Sequence, residues 1–181
     1  MRVTIYKKYI RYFPAILFLF SCLISCDHGI EPKPVLKEPP GFSGTVTFIR
    51  AWPDSVKRTF VVVFENDLLT PGDFTIANLK YLSREIPFGV QSYSFNSLDS
   101  AYIPMTPGPF PPGNYEYVAV VQQSTEQLSL LRKDWYVSGL YYANGDTTQP
   151  GTMVIPDSAF VKFININVDF DNPPPQPPGG N

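Results

Sequence analysis

Few residues in this chain of 181 can do covalent or acid–base chemistry, and where they fall is more telling than how many there are. The thiols are Cys22 and Cys26 and the only imidazole is His28, so all three lie near the N-terminus. Serine–histidine catalysis needs a base that titrates near neutrality, and structural zinc is held by thiolates and imidazoles. Neither can be built after residue 28. The phosphate-cradling patterns GxxxxGK[ST] and GxGxxG are absent as well. Carboxylates remain, and glycoside hydrolysis uses two of them, roughly 5–10 Å apart. However, Asp54, Asp67, Asp73, Asp99 and Asp157 each neighbour Pro, Gly, Ser or Asn, where aspartate caps turns through local backbone bonds. No catalytic pair is expected. Calcium takes oxygen ligands, and two stretches carry them: Asn167, Asp169, Asp171 and Asn172, and Asn144, Asp146, Thr147 and Thr148. Neither has the spacing of an EF-hand loop, and water-facing strands look the same, so no metal and no other cofactor is expected.

Aromatic residues are the remaining lead. Trp135, Tyr136, Tyr141 and Tyr142 share one segment, and Tyr115 and Tyr117 another. Exposed rings of this kind stack on sugars, whereas tyrosines at sandwich edges cover a core and hydrogen-bond a turn. Strict alternation places Trp135, Val137, Gly139 and Tyr141 on one face and Tyr136, Ser138, Leu140 and Tyr142 on the other. Neither face is wholly apolar, so one aromatic row is expected at solvent or beneath a loop. Trp135, Tyr136, Tyr141 and Tyr142 are therefore the candidate ligand contacts.

The elements that would position these residues begin after a leader. Arg2, Lys7, Lys8 and Arg11 precede an apolar run from Phe13 to Ser25. That is the layout of an export signal, and the run is shorter than the roughly 20 residues a spanning helix needs. Leu23-Ile24-Ser25-Cys26 resembles the lipobox of bacterial lipoproteins. The resemblance implies cleavage before Cys26, acylation of its sulfur, and attachment to a membrane of the bacterial cell envelope, facing the periplasm or the surface. In some Gram-negative bacteria an aspartate after the lipidated cysteine, here Asp27, retains such proteins at the inner membrane. Without residues 1–25 the chain carries ten Lys and Arg against sixteen Asp and Glu, a net charge of −6. A chain of that sign has no electrostatic reason to bind nucleic acid or anionic headgroups, so the lipid would be the whole of its membrane attachment.

Residues 26–41 form a proline-rich tether, DHGIEPKPVLKEPP after the cysteine, too poor in apolar residues to offset the entropy of ordering. Residues 172–181, NPPPQPPGGN, are similar in kind. They read as a disordered tail, or alternatively as a ligand for a proline-recognising module. The domain between them, residues 42–171, is written in strands. Gly44–Ile49 and Val90–Phe95 alternate. Thr59–Phe64 is a continuous β-branched and aromatic run, as in a strand buried on both sides. Tyr115–Val121 follows the turn Pro-Pro-Gly-Asn, and Trp135–Tyr142 precedes Asn144-Gly145. Phe160–Phe170 has the clearest period of two, with Ile164, Ile166, Val168 and Phe170 opposite Asn165, Asn167 and Asp169. Short strands are plausible around Ala101–Ile103 and Thr152–Ile155. Pro71–Leu82 is the best helical candidate, or an irregular crossover, and Glu126–Lys133 is a candidate single turn. The fold class is all-β: one antiparallel β-sandwich of about seven strands.

The order of GTVTF, FVVVF, PPGNYEYVAV and FININVDF resembles the transthyretin-like, or carboxypeptidase-regulatory-like, sandwiches of bacterial envelope proteins. In that family a Pro-Gly-x-Tyr turn, here Pro112, Gly113, Asn114 and Tyr115, feeds a central strand. The resemblance implies an accessory, adhesive or positioning module without catalysis. Related surface adhesins crosslink a first-strand lysine to a last-strand asparagine. Asn165 and Asn167 are present, but the first strand offers only Arg50, so self-crosslinking is not expected. The expected function is thus a lipid-anchored, non-enzymatic module with a protein or glycan partner. The alternatives are a structural subunit of an appendage or envelope complex and, more distantly, a small carboxylate-dependent hydrolase.

Overall fold

A computed structural model describes residues 37–180. The leader 1–25, the lipobox cysteine Cys26, His28 and the rest of the tether up to residue 36 lie outside the described residues. From Gly41 onward the chain is an all-β sandwich, as the alternating sequence implies, and no helix among the described residues is long and apolar enough to cross a membrane.

Ten strands appear in chain order. They are β1 (Gly41–Ile49), β2 (Arg58–Phe64), β3 (Leu79–Leu82), β4 (Ser92–Asn96), β5 (Gly113–Tyr115), β6 (Tyr117–Gln123), β7 (Trp135–Leu140), β8 (Met153–Ile155), β9 (Phe160–Val161) and β10 (Ile166–Asp169). One sheet has β1 at its centre, antiparallel to β4 on one side and parallel to β9 and then β10 on the other. The second sheet is fully antiparallel in the order β3-β2-β6-β7, and β5 and β8 form a small ladder of their own.

The count exceeds seven for local reasons. The 160–170 segment is one run in sequence but two strands in space, because Phe163 takes a left-handed conformation at φ 67° and interrupts it. The interruption is bridged to β1 by Ile164 N–H donating to Ser43 O at 3.0 Å and Thr45 N–H donating to the Asn165 side-chain oxygen at 3.0 Å. A glycine makes this approach possible: a Cβ on Gly44 would lie 1.9 Å from Ile164 O. The expected inward set Ile164, Ile166 and Val168 is buried, and Phe170, part-buried, stacks on Phe48 and lies tilted against Trp52. Of the stretches offered as helical, Pro71–Leu82 holds a single 3-10 turn at Pro71–Asp73 and ends in strand β3, and Glu126–Lys133 runs into a single 3-10 turn at Arg132–Asp134. Neither has the apolar spacing that would give a helix a buried face.

Two apolar layers result. Between the sheets, Phe42, Val46 and Phe48 of β1 meet Val61 and Val63 of β2, Val118 and Val120 of β6, and Ile166 and Val168 of β10. Phe42 is fully buried and meets Tyr81 and Phe110 edge to face at 5.1 and 4.9 Å, a favoured geometry for ring quadrupoles. The opposite face of the second sheet carries Phe60, Val62, Phe64, Tyr117, Ala119, Val121, Trp135 and Val137. Loops cover it with Leu68, Phe74, Tyr102 and Leu128. Burial on both faces is why β2 and β6 are continuous apolar runs rather than alternating ones.

The segment 172–180 also helps to close this outer layer, contrary to the disordered tail expected from its composition. Pro177 is buried, and its carbonyl accepts a 2.6 Å hydrogen bond from the Arg132 guanidinium. Gln176 pairs with both backbone groups of Val137 on the free edge of β7. Prolines made this tail look unstructured because they cannot donate to a ladder; a single side-chain amide supplies what they lack.

Candidate functional site

The aromatic segment 135–142 is the natural place to look for a site, and its geometry turns on one extra residue. Val121 pairs with Val137 but Val120 pairs with Gly139, so Ser138 is unmatched and forms a β-bulge. The bulge shifts the phase of alternation midway along β7. Trp135 and Val137 lie in the outer layer together with Leu140, and Tyr142 packs against that layer, whereas Tyr141 packs against the inter-sheet core. Uniform alternation put Tyr141 beside Trp135, and the bulge corrects that grouping. It also explains why neither predicted face looked apolar.

The four candidate contacts are therefore dispersed. Trp135 is 3% exposed and its indole N–H donates to Ser129 O at 2.6 Å, so it is a core residue. Tyr141 and Tyr142 are half-buried on opposite faces. Tyr136 alone is exposed, at 43%. No coplanar row of four rings exists; one ring faces solvent.

Tyr136 stands over a groove of about 460 Å³ at one end of the sandwich. The groove arises from unequal sheet lengths. The first sheet ends at Ile49 and Asp169, while β6 and β7 continue the second sheet through Gln122, Gln123, Trp135 and Tyr136. Along one side the sheets close together, because Gly139 lets β10 approach: a Cβ there would meet Asn167 O and Val168 at 2.9 Å. Beyond that contact the gap stays open between Phe170 and the Pro53–Val56 loop on one wall and Tyr136 on the other.

The floor is a lateral row across three strands. Thr59 pairs with Gln122, and Gln122 pairs with Tyr136. Their side chains point to the same side as the inter-sheet core residues Val61 and Val120, since alternate neighbours face the outer layer. Gln122 is 4% exposed and lines the groove, yet among the described residues its buried Nε2 has no hydrogen-bond partner; Thr59 Oγ1, fully buried, has none either. Buried polar atoms are nearly always paired, so this end of the core is chemically incomplete. Sequence reasoning passed over Gln122. Its signal was a polar residue on the inward phase set by Val118 and Val120.

The rim is held firmly. Ser129 O also accepts from Gln123 Nε2 at 2.7 Å, and the Ser129 hydroxyl donates to the Asp134 carboxylate. On the far wall, Asp169 accepts from Asp171 N–H and from Asn172 Nδ2 at 3.1 and 3.0 Å. Its carboxyl is held below the ordinary range chiefly by Asn172, then by the Asp171 amide, with Arg50 nearby. Asp146, in the other oxygen-rich loop, is likewise lowered by the Thr148 hydroxyl and amide. Both carboxylates thus serve local turns. Among the described residues, no group of three or more His, Cys, Asp or Glu is placed to hold a metal ion. Asn165 spends its side-chain oxygen on the β1 backbone.

No protein-family model, curated protein or solved structure matches this chain.

Proposed function

We propose that this chain is an exported lipoprotein of the bacterial cell envelope, anchored through Cys26, whose sandwich is a non-enzymatic module that binds or positions a protein or glycan partner. The observation that carries the binding reading is the open groove, where Tyr136 stands exposed over a floor containing the unpaired amide of Gln122. Small-molecule and partner sites commonly combine concave apolar walls with a few polar groups of this kind. The absence of catalysis is supported by the duties of the carboxylates nearest the groove. Asp134 and Asp169 already accept hydrogen bonds from their own loops. A transthyretin-like identity for the sandwich is supported by the Pro112-Gly113-Asn114-Tyr115 turn, which leads through β5 into β6 between β2 and β7. The Tyr115 hydroxyl fixes that turn by donating to Pro111 O at 2.8 Å.

The anchor is supported by the placement of LISC at the end of the apolar leader and by the acidic balance of everything after it. Two lipid chains or more are needed for stable attachment when no basic patch assists. Changing Cys26→Ser is therefore expected to move the protein from the membrane fraction to the soluble one, or to leave it uncleaved. Fractionation and the apparent mass of the product read the outcome. Normal processing with unchanged membrane retention would overturn the lipoprotein reading.

A further inference from the structure

We infer that the groove beside Tyr136 is a saccharide site, taking a neutral mono- or disaccharide unit with one ring face on Tyr136 and a hydroxyl bonded to Gln122. This rests on the binding-module reading above and names its ligand class. Gln122 is 4% exposed, lines the groove, and has a buried Nε2 with no partner among the described residues. A core that needed only volume would place an apolar side chain there, as Val118 and Val120 do at the preceding inward positions of the same strand. Keeping an unpaired amide in the wall of a cavity makes sense if a turn of the side chain lets it bond to something from outside.

The other groups narrow what that something is. The groove's volume, about 460 Å³, falls within the roughly 300–1,000 Å³ of small-molecule sites. An anion is disfavoured, because two carboxylates, Asp134 and Asp169, face a single Lys133 around the rim. A cation is disfavoured too, because both carboxylates are engaged by their own loops and Lys133 lines the same groove. A wholly apolar ligand would leave the Gln122 amide without a partner. A neutral polyhydroxylated ring meets all of these conditions. It offers hydroxyls to the amide and an axial C–H face to the tyrosine.

The test uses the full chain in detergent, titrated by calorimetry with neutral disaccharides built from glucose, galactose, mannose or xylose. At least one is expected to bind. Tyr136→Ala should weaken that binding at least tenfold and Tyr136→Phe no more than about threefold, since the ring face and not the hydroxyl makes the platform. Gln122→Leu should weaken binding about tenfold while leaving the melting temperature equal or higher, because it removes an unpaired buried donor without removing volume. The sugar assignment is overturned if none of the disaccharides binds, if binding survives both Tyr136→Ala and Gln122→Leu, or if Gln122→Leu lowers the melting temperature. A photo-crosslinker at position 136 that captures an envelope protein rather than a glycan would also overturn it, while leaving the broader binding-module reading standing.

Discussion

Replacing Phe42 by alanine should destabilise the sandwich by about 3–5 kcal/mol, the usual cost of truncating a fully buried phenylalanine, and lower its melting temperature by roughly 10 °C. Phe42 is 0% exposed and contacts Tyr81, Phe95 and Phe110, so one truncation removes three edge-to-face ring pairs at once. Its backbone is also committed: the Phe42 N–H donates to Ser97 Oγ and Ser97 N–H donates back to Phe42 O, both at 2.8 Å. The surroundings therefore have little freedom to collapse into the void, which places the cost in the upper part of that range. Gly44→Ala, two positions along the same strand, should cost about 3 kcal/mol or more by the opposite mechanism. Its new Cβ would meet Ile164 O at 1.9 Å, and the obstacle is backbone, which cannot rotate aside. Met105→Ala is the control, since Met105 is 85% exposed and should be neutral to about 0.5 kcal/mol. Urea unfolding followed by tryptophan fluorescence reads all three. Equal midpoints for Phe42→Ala and Met105→Ala would show that the first strand is not part of the cooperative core.

The contrast between these residues and the groove shows what the sequence could carry. Strands whose burial is uniform along their length were legible. Thr59–Phe64 reads as doubly buried and is, and the inward set Ile164, Ile166 and Val168 follows directly from a period of two. What escaped was set by single residues acting on the chain's phase or path. The bulge at Ser138 reverses the alternation of β7 and so separates Trp135 from Tyr141, and nothing in WYVSGLYY marks where the extra residue falls. The left-handed Phe163 divides the last strand although its residue type disfavours that conformation. The groove depends on one sheet ending earlier than the other, a property of two strands far apart in sequence. Of the four aromatic candidates, Tyr136 was recoverable only once the bulge and the sheet lengths were known. Gln122, in contrast, was visible as a polar residue on an apolar phase.

The C-terminal tail gives the second large effect, because its composition argues for disorder and its contacts argue against it. A proline-rich segment cannot extend a sheet, since each proline lacks the N–H that a ladder needs. The free edge of β7 nevertheless presents an N–H and a carbonyl at Val137, and such edges invite pairing with other chains. Gln176 answers both with one side chain: its Oε1 accepts from Val137 N–H at 2.9 Å and its Nε2 donates to Val137 O at 2.7 Å. One turn away, Arg132 is 8% exposed and joins Trp135 O at 2.5 Å to Pro177 O at 2.6 Å. Removing residues 174–181 should therefore cost about 3.5–5 kcal/mol, roughly 1 kcal/mol for each of the two neutral hydrogen bonds and about 1.5–3 kcal/mol for the charged one. Gln176→Ala should cost about 1–2 kcal/mol by the same reckoning. Gln176→Glu separates a paired amide from mere bulk. At neutral pH a carboxylate would face the Val137 carbonyl without a proton to donate, so the variant should be at least as unstable as Gln176→Ala. That unfavourable contact raises the folded-state pKa of the new carboxyl above its unfolded value of about 4.3. The deficit is then complete above the raised pKa and disappears as the pH falls through it towards about 4, where the protonated acid donates again. Amide hydrogen exchange at Val137 provides an independent reading, and should be protected in the native chain and fast in each variant. Fast exchange in the native chain, with no change of melting temperature on truncation, would show that the tail is frayed and the β7 edge open.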